Sequence, residues 1–426
     1  MPAVKPLFSD HYLSKRLPEE PAWAEDEQAE AARQQLLELY HATRSGLEGA
    51  KESQTEDDFI KPALEILGWH FIVQQGRRTA GVLDIPDYVL FTSAEKRERA
   101  NAIKGDPEKQ AEFWSLVDVI ADAKKWDRPL SSRTSDPGDN TDPNFQMVRY
   151  IRTFEAADWG ILTNGPTWRL YTSAVSSAAT QFYEVDLIAS LEDPAAFKQL
   201  WLFFRADSYY TEHDGMVFPQ RALTGSLTYS RQVGDELKRL VFEQVFPYLA
   251  GGFVQHRQRQ GEDATSEAAR DEIYAVTLSL LYKLLFLLYA EARDLLPIRT
   301  PGYQALSLSR AVSDIARMVR ENQPLGTVSA RLYDNLLNLF DVIDAGDPGL
   351  SVPRYNGGLF KRTAPSNQFM RANKIADDKL AQAVYRLAHL DGERIDYAYL
   401  DVRELGAIYE GLLEYRLIVD DAAAGN

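Results

Sequence analysis

The chain has 426 residues, 45% of them hydrophobic, enough for two or three ordinary cores at a prior of about 100 to 200 residues per domain. It contains no cysteine, which excludes disulfides, thiolate metal sites and cysteine nucleophiles and fits a cytoplasmic location. A net charge of −16 argues against indiscriminate nucleic-acid binding, because Lys and Arg supply most non-specific affinity for phosphates.

The N-terminus MPAVKPLFSDHY lacks the apolar core of a signal peptide. It reads as an arm leading into a helix over 26–43, with Leu36, Leu37, Leu39 and Tyr40 as apolar positions. A second helix is expected to begin near SQTED, where Ser53 and Glu56 have capping-box spacing, and to stop at Gly68. Strands follow at 69–74, 85–91 and 116–124, the last two separated by a charged, solvated helical insertion over 94–113. The segment RTSDPGDNTDPN (133–144) carries turn-forming residues at a density that predicts an exposed loop. Asp142 then caps a helix with Pro143 at its first position, and Gln146 and Tyr150 share a face one turn apart. Residues 159–171 are two apolar runs joined by Asn164-Gly165, a hairpin signal.

Past about Phe218 helical periodicity replaces strand signals, at 232–250, 268–294, 306–321, 327–345, 377–390 and 402–417. The greasiest run, 273–290, is interrupted by Thr277, Ser279 and Lys283 and followed by Glu291, Arg293 and Asp294, so it reads as a buried helix and not a membrane span. GLFKRTAPSNQ carries Gly and Pro breaks without a regular pattern and reads as a linker. The expected organisation is one α/β domain over 1–225 and one mostly helical domain over 226–426.

The chemistry concentrates in SLVDVIADAKKW (115–126). On a strand, alternate side chains share a face, so Asp122 and Lys124 leave together. The apolar run Leu116, Val117, Val119, Ile120 and Ala121 suits a central strand, where a charged pair is costly unless it is compensated or holds metal. With Asp87 upstream in IPDYVLF, two acids and a lysine at one strand end can hold a divalent metal and polarise a phosphodiester. This order, Pro86-Asp87 followed by Asp122-Ala123-Lys124, resembles the PD-(D/E)XK nuclease superfamily. The resemblance implies that Asp87 and Asp122 bind Mg²⁺ and that Lys124 orients or activates the attacking water.

Longer blocks point the same way. FSDHYLSKRLPE (8–19), FIKPALEILGW (59–69), IADAKKWDRPL (120–130), NFQMVRYI (144–151), WGILTNGPTWRLY (159–171), LYKLLFLLYAEARDLLP (281–297), YNGGLF (355–360) and LGAIYEGLLEYRL (405–417) resemble, in order, the N-terminal half of type IIG restriction-modification enzymes. Those single chains fuse a nuclease to an adenine methyltransferase. The resemblance implies an α/β PD-(D/E)XK nuclease-like core, a mixed sheet flanked by helices, followed by a mostly α-helical connector. It implies Mg²⁺-dependent cleavage of double-stranded DNA in an anti-phage restriction system. The implied partner is a methyltransferase and target-recognition module, in the same full-length chain or a separate subunit. Helix, three strands, helix, strand is the order that core needs.

Several assignments have alternatives. Asp84, three residues before Asp87, competes as the metal acid, although the resemblance gives the role to Asp87. Glu56 is a further metal residue by the resemblance and a capping partner of Ser53 by local sequence. Gln146 and Tyr150 match a Q-x-x-x-Y element in which the glutamine supports the catalytic site or contacts DNA; an ordinary amphipathic helix explains them equally well. Between Lys124 and Arg169, seven basic residues stand against six acidic ones, so Lys125, Arg128, Arg133, Arg149 and Arg152 are the candidate DNA contacts.

The six histidines show no ligand spacing, which argues against zinc. Gly357-Gly358 belongs to no phosphate-loop pattern, and YNGGLF reads as a tight turn between helices. No Asn-Pro-Pro-Tyr-like loop or cofactor-binding strand end is present, so no methyltransferase activity is expected, and the chain reads as a fragment or a separate nuclease subunit. Asp122 stands where Glu is commoner in the superfamily. A catalytically inactive nuclease-fold subunit that binds DNA or scaffolds a phage-defence complex is therefore the rival reading.

Overall fold

The computed structural model describes residues 5–79, 82–132, 142–154, 157–355, 357–400 and 402–412. The chain divides into two compact units, Met1–Leu227 and Thr228–Asn426.

The first unit is built on strands β1 (Lys5–Pro6), β2 (His70–Val73), β3 (Arg77–Thr79), β4 (Val82–Asp84), β5 (Tyr88–Phe91), β6 (Val119–Ala123), β7 (Trp159–Thr163), β8 (Thr167–Thr172) and β9 (Gln181–Asp186). Seven of them form one mixed sheet in the order β1-β9-β8-β7-β6-β5-β2, while β3 and β4 make a separate hairpin. Antiparallel pairing joins β2 to β5 and β5 to β6, and β6 runs parallel to β7. A parallel pair needs a crossover, which the helix Pro143–Thr153 supplies. Every residue of β6 and β7 is buried, as their unbroken apolar runs require of central strands.

Strand alternation sorts the two sheet faces. Tyr88, Leu90, Val119, Ala121 and Ala123 pack with Leu36 of the helix Asp26–Leu47 and with Phe59, Ile60 and Leu64 of a helix over 52–66. The opposite residues, Val89, Phe91 and Ile120, pack with Phe113, Trp114, Tyr150 and Phe154. Asp122 shares the parity of Ile120, so it projects toward the Pro143–Thr153 helix. That helix lies close because Gly160 of β7 has no side chain: a Cβ there would sit 2.6 Å from Met147 Sδ and 2.7 Å from Ile151 Cγ2.

The capping expectation at 52–56 needs correction. The helix begins at Glu52, Ser53 lies inside it, and no side chain caps its start. Residues Glu56–Ile60 form a π-helical turn before Lys61–Ile66 resumes the α-helix. The charged insertion is helical at Ala94–Ile103 and Gln110–Ser115, with Ser93 and Asp106 as capping side chains. Asp142 Oδ1 accepts the Asn144 N–H at 3.0 Å, so the cap read at Asp142 forms. The 133–141 part of the expected loop lies outside the described residues.

The second unit is helical. The helix Glu267–Ala292 runs through its core, burying Leu280, Leu281, Leu284, Leu287 and Leu288. Its length and composition alone would allow it to cross a membrane, yet most of its apolar stretch is inside the unit. Around it stand Phe246–Gln260, Leu308–Arg320, Arg331–Ala345 and Asp377–Ala388. The expected linker GLFKRTAPSNQ enters a further helix, Pro365–Ala372, started by proline at its first turn.

Candidate active site

The β5–β6 register pairs Tyr88 with Ala121 and Val89 with Ile120, and one step further along it Asp87 faces Asp122. Two acids directly opposite one another across an antiparallel pair repel, so something must compensate them. Lys124 does so in part. Its Nζ lies 2.5 Å from Asp122 Oδ2 and 3.9 Å from Asp87 Oδ2. Only 1% of the Asp122 side chain and 7% of that of Lys124 are exposed, against 23% for Asp87, so the triad opens to solvent at Asp87.

Backbone contacts set the geometry. The Ala123 N–H donates to Asp87 Oδ2 at 2.8 Å, Lys124 Nζ donates to Ala123 O at 2.9 Å, and the Lys124 N–H donates to Thr163 O at 2.8 Å. Burial and then the Asp122 carboxylate push the Asp87 carboxyl up to about 9, against the opposing pull of Lys124 and the Ala123 N–H. For Lys124 burial works against the ammonium, but Asp122 and Asp87 outweigh it and hold its pKa above the ordinary lysine range. Lys124 is therefore a cation and a hydrogen-bond donor at neutral pH.

Gln146 and Tyr150 extend the cluster. Gln146 Nε2 donates to the Tyr150 hydroxyl at 2.7 Å, which donates to Ile85 O at 3.0 Å, two residues before Asp87. Burial first, and then the Asp122 charge, push the Tyr150 phenol up to about 12. Gln146 Oε1 is buried and accepts no hydrogen bond among the described residues, while the Asp122 Oδ2 carboxylate oxygen faces the Lys124 ammonium. Two carboxylates and the buried Gln146 Oε1 make a hard, all-oxygen donor set that fits Mg²⁺ better than a softer transition metal.

Asp84 is occupied elsewhere. Arg149 Nε sits 2.8 Å from its Oδ1, and Thr153 Oγ1 donates to its Oδ2 at 3.1 Å. Glu56 is likewise engaged: the Tyr88 hydroxyl donates to its Oε2 at 2.5 Å, and Tyr88 belongs to the other sheet face. Among the described residues no three acids or histidines form a metal-sized group, so Glu56 does not join Asp87 and Asp122. The helix acid whose charge reaches Lys124 is Glu52, one turn earlier. Sequence reading missed it because Ser53-x-x-Glu56 drew attention to the capping pattern, although Glu52 and Glu56 stand four apart on one helix face.

The expected DNA contacts fare unevenly, since counting charges in a sequence ignores burial. Arg128 is 1% exposed and is not a surface cation. Arg149 is half-exposed but paired with Asp84. Arg152 is at the surface and donates to Ser176 O at 3.2 Å, and Lys125 is half-buried. Arg133 lies outside the described residues.

No family profile matches the chain, and no curated protein matches it. Among solved structures, a chain of a cryo-EM DrdV–DNA complex aligns with 94% of this chain at 14% identity and a TM-score of 0.23. This chain spans 27% of the length of that one.

Proposed function

We propose that the chain is the Mg²⁺-dependent DNA endonuclease module of a type IIG-like restriction system, with a PD-(D/E)XK catalytic core. The observation that carries the reading is the convergence of Asp87, Asp122 and Lys124 at neighbouring ends of β5 and β6. The order of helix 52–66, strands β2, β5 and β6, helix Pro143–Thr153 and parallel strand β7 supports it. Asp87 and Asp122 would hold the metal, which when bound supplies positive charge to the scissile phosphate and acidifies water. Both acids must be ionised for that, which burial and the Asp122 carboxylate oppose at Asp87 even with Lys124 nearby, so the charge of a bound metal would be needed to hold Asp87 as carboxylate.

Lys124 orients the attacking water and stabilises charge on the phosphate; as an ammonium with a raised pKa it does not serve as the base. Hydrolysis then joins a water oxygen to phosphorus and breaks one P–O ester bond. Gln146 supports the site through Tyr150 and the Ile85 carbonyl. A methyltransferase and recognition module would provide sequence choice. Plasmid nicking in Mg²⁺ tests the reading: Asp122→Asn and Lys124→Ala should each lower the rate by orders of magnitude while the fold survives. Equal nicking by wild type and both variants refutes the assignment, and folded wild type without turnover favours the scaffolding role.

A further inference from the structure

A solvent-open concavity of about 370 Å³ in the helical unit is lined by three exposed cations, Arg354, Lys361 and Arg362, against one acid, Asp344, with Gly357 and Gly358 in its wall. The lining thus carries two excess positive charges in a chain whose net charge is −16. The acid is already used, since Asp344 Oδ2 accepts the Arg362 N–H at 3.0 Å. The Arg362 guanidinium reaches Asp341 only at 3.9 Å, and Asp341 also pairs with Arg371. No ion pair or hydrogen bond engages the side chains of Arg354 and Lys361 among the described residues.

The walls are built. Gly346 closes the Arg331–Ala345 helix at φ 74°, and a Cβ there would meet Arg354 N at 2.8 Å, so only glycine lets the Arg354 backbone lie so near. Asp347 and Val352 exchange two backbone hydrogen bonds of 2.9 Å in an isolated bridge that braces the loop leading to Arg354. Opposite, Asn367 Nδ2 donates to Leu359 O at 3.1 Å and to Lys361 O at 2.8 Å. A Cβ on Gly357 or Gly358 would meet nothing within 4 Å, so their backbone borders open space.

We propose that this cavity binds a phosphate group, either one backbone phosphate of duplex DNA or a small phosphate ligand. A guanidinium fork and an ammonium are the usual partners of phosphate oxygens, and bare glycine backbone permits close approach. Neither a phosphate-loop nor a dinucleotide pattern is needed. The assignment is independent of the cleavage chemistry, so it is tested in EDTA on the full chain with two probes, inorganic pyrophosphate and a short labelled duplex.

Arg354→Gln combined with Lys361→Gln should weaken binding about tenfold or more. Gly358→Glu, which introduces a carboxylate into open space, should do the same with an unchanged unfolding midpoint. Saturable pyrophosphate binding lost in both variants identifies the small ligand. Duplex binding lost in both, with a log–log salt slope about two lower in the double variant and no pyrophosphate binding, identifies the backbone. Wild type and variants binding both probes alike, or wild type binding neither, overturns the proposal.

Discussion

Asp84 and Asp87 are three residues apart and chemically identical, and only their neighbours separate them. Asp84 is buried against Arg149 and Thr153, whereas Asp87 faces Asp122 at the mouth of the cluster. Asp84→Asn should therefore cost about 1–3 kcal/mol of stability in urea unfolding, by weakening the contacts that the buried Asp84 makes with Arg149 and Thr153, with nicking per folded molecule retained. Asp87→Asn should reverse that pattern, abolishing nicking with little change in stability near neutral pH, because a carboxyl pushed up to about 9 is already uncharged there. Lys283 offers a separate test. It is fully buried, donates to Ser279 Oγ at 2.6 Å, and has no acid partner among the described residues. Burial pulls its pKa down to about 7. The unfolded chain therefore binds more protons between about pH 7 and the ordinary lysine value, so stability rises as pH is raised through that window. Lys283→Met should raise stability at pH 7 by on the order of a few kcal/mol and flatten the slope, as read from unfolding curves across that range.

The Pro143–Thr153 helix links fold to site. It provides the crossover between parallel β6 and β7, and it carries Gln146 and Tyr150 to the acids. Its seat depends on Gly160, where a methyl group would collide with Met147 and Ile151. Gly160→Ala should thus cost about 1–3 kcal/mol and slow nicking by displacing Gln146, measurable by thermal unfolding and single-turnover rates. In the helical unit, Leu281 is completely buried in the core helix, and Leu281→Ala should cost about 2–5 kcal/mol without touching the acids. The helix over 52–66 shows how an element can be recognised and still be misread: its position was legible, but the π-helical turn at Glu56–Ile60 and the start at Glu52 were not.

At the scale of the molecule, the second unit has no described strand longer than two residues, and the chain has no Asn-Pro-Pro-Tyr-like loop. Calorimetric titration with S-adenosylmethionine should accordingly show no binding, and saturation at one site per chain would assign the helical unit a role that its core packing does not suggest. The acidic net charge also sets an expectation for duplex DNA, namely weak binding with steep loss as salt rises.

Local signals determined much of this. Unbroken apolar runs marked β5, β6 and β7, Asn164-Gly165 marked the β7–β8 turn, and Asp142-Pro143 marked a helix start, because burial patterns and backbone conformation act over a few residues. Strand alternation also put Asp122 and Lys124 on one face. The edge pairing of β1 with β9 escaped notice, since a two-residue strand and a half-exposed one carry little periodicity. Tertiary structure alone decided that Asp87 faces Asp122 while Asp84 pairs with Arg149, and that Arg128 is buried. It also brought Arg354 and Lys361, which flank the YNGGLF segment read as a turn, to line one concavity with Arg362. Those outcomes depend on register and packing between segments far apart in the chain, where distance and burial, not residue type, fix the electrostatics.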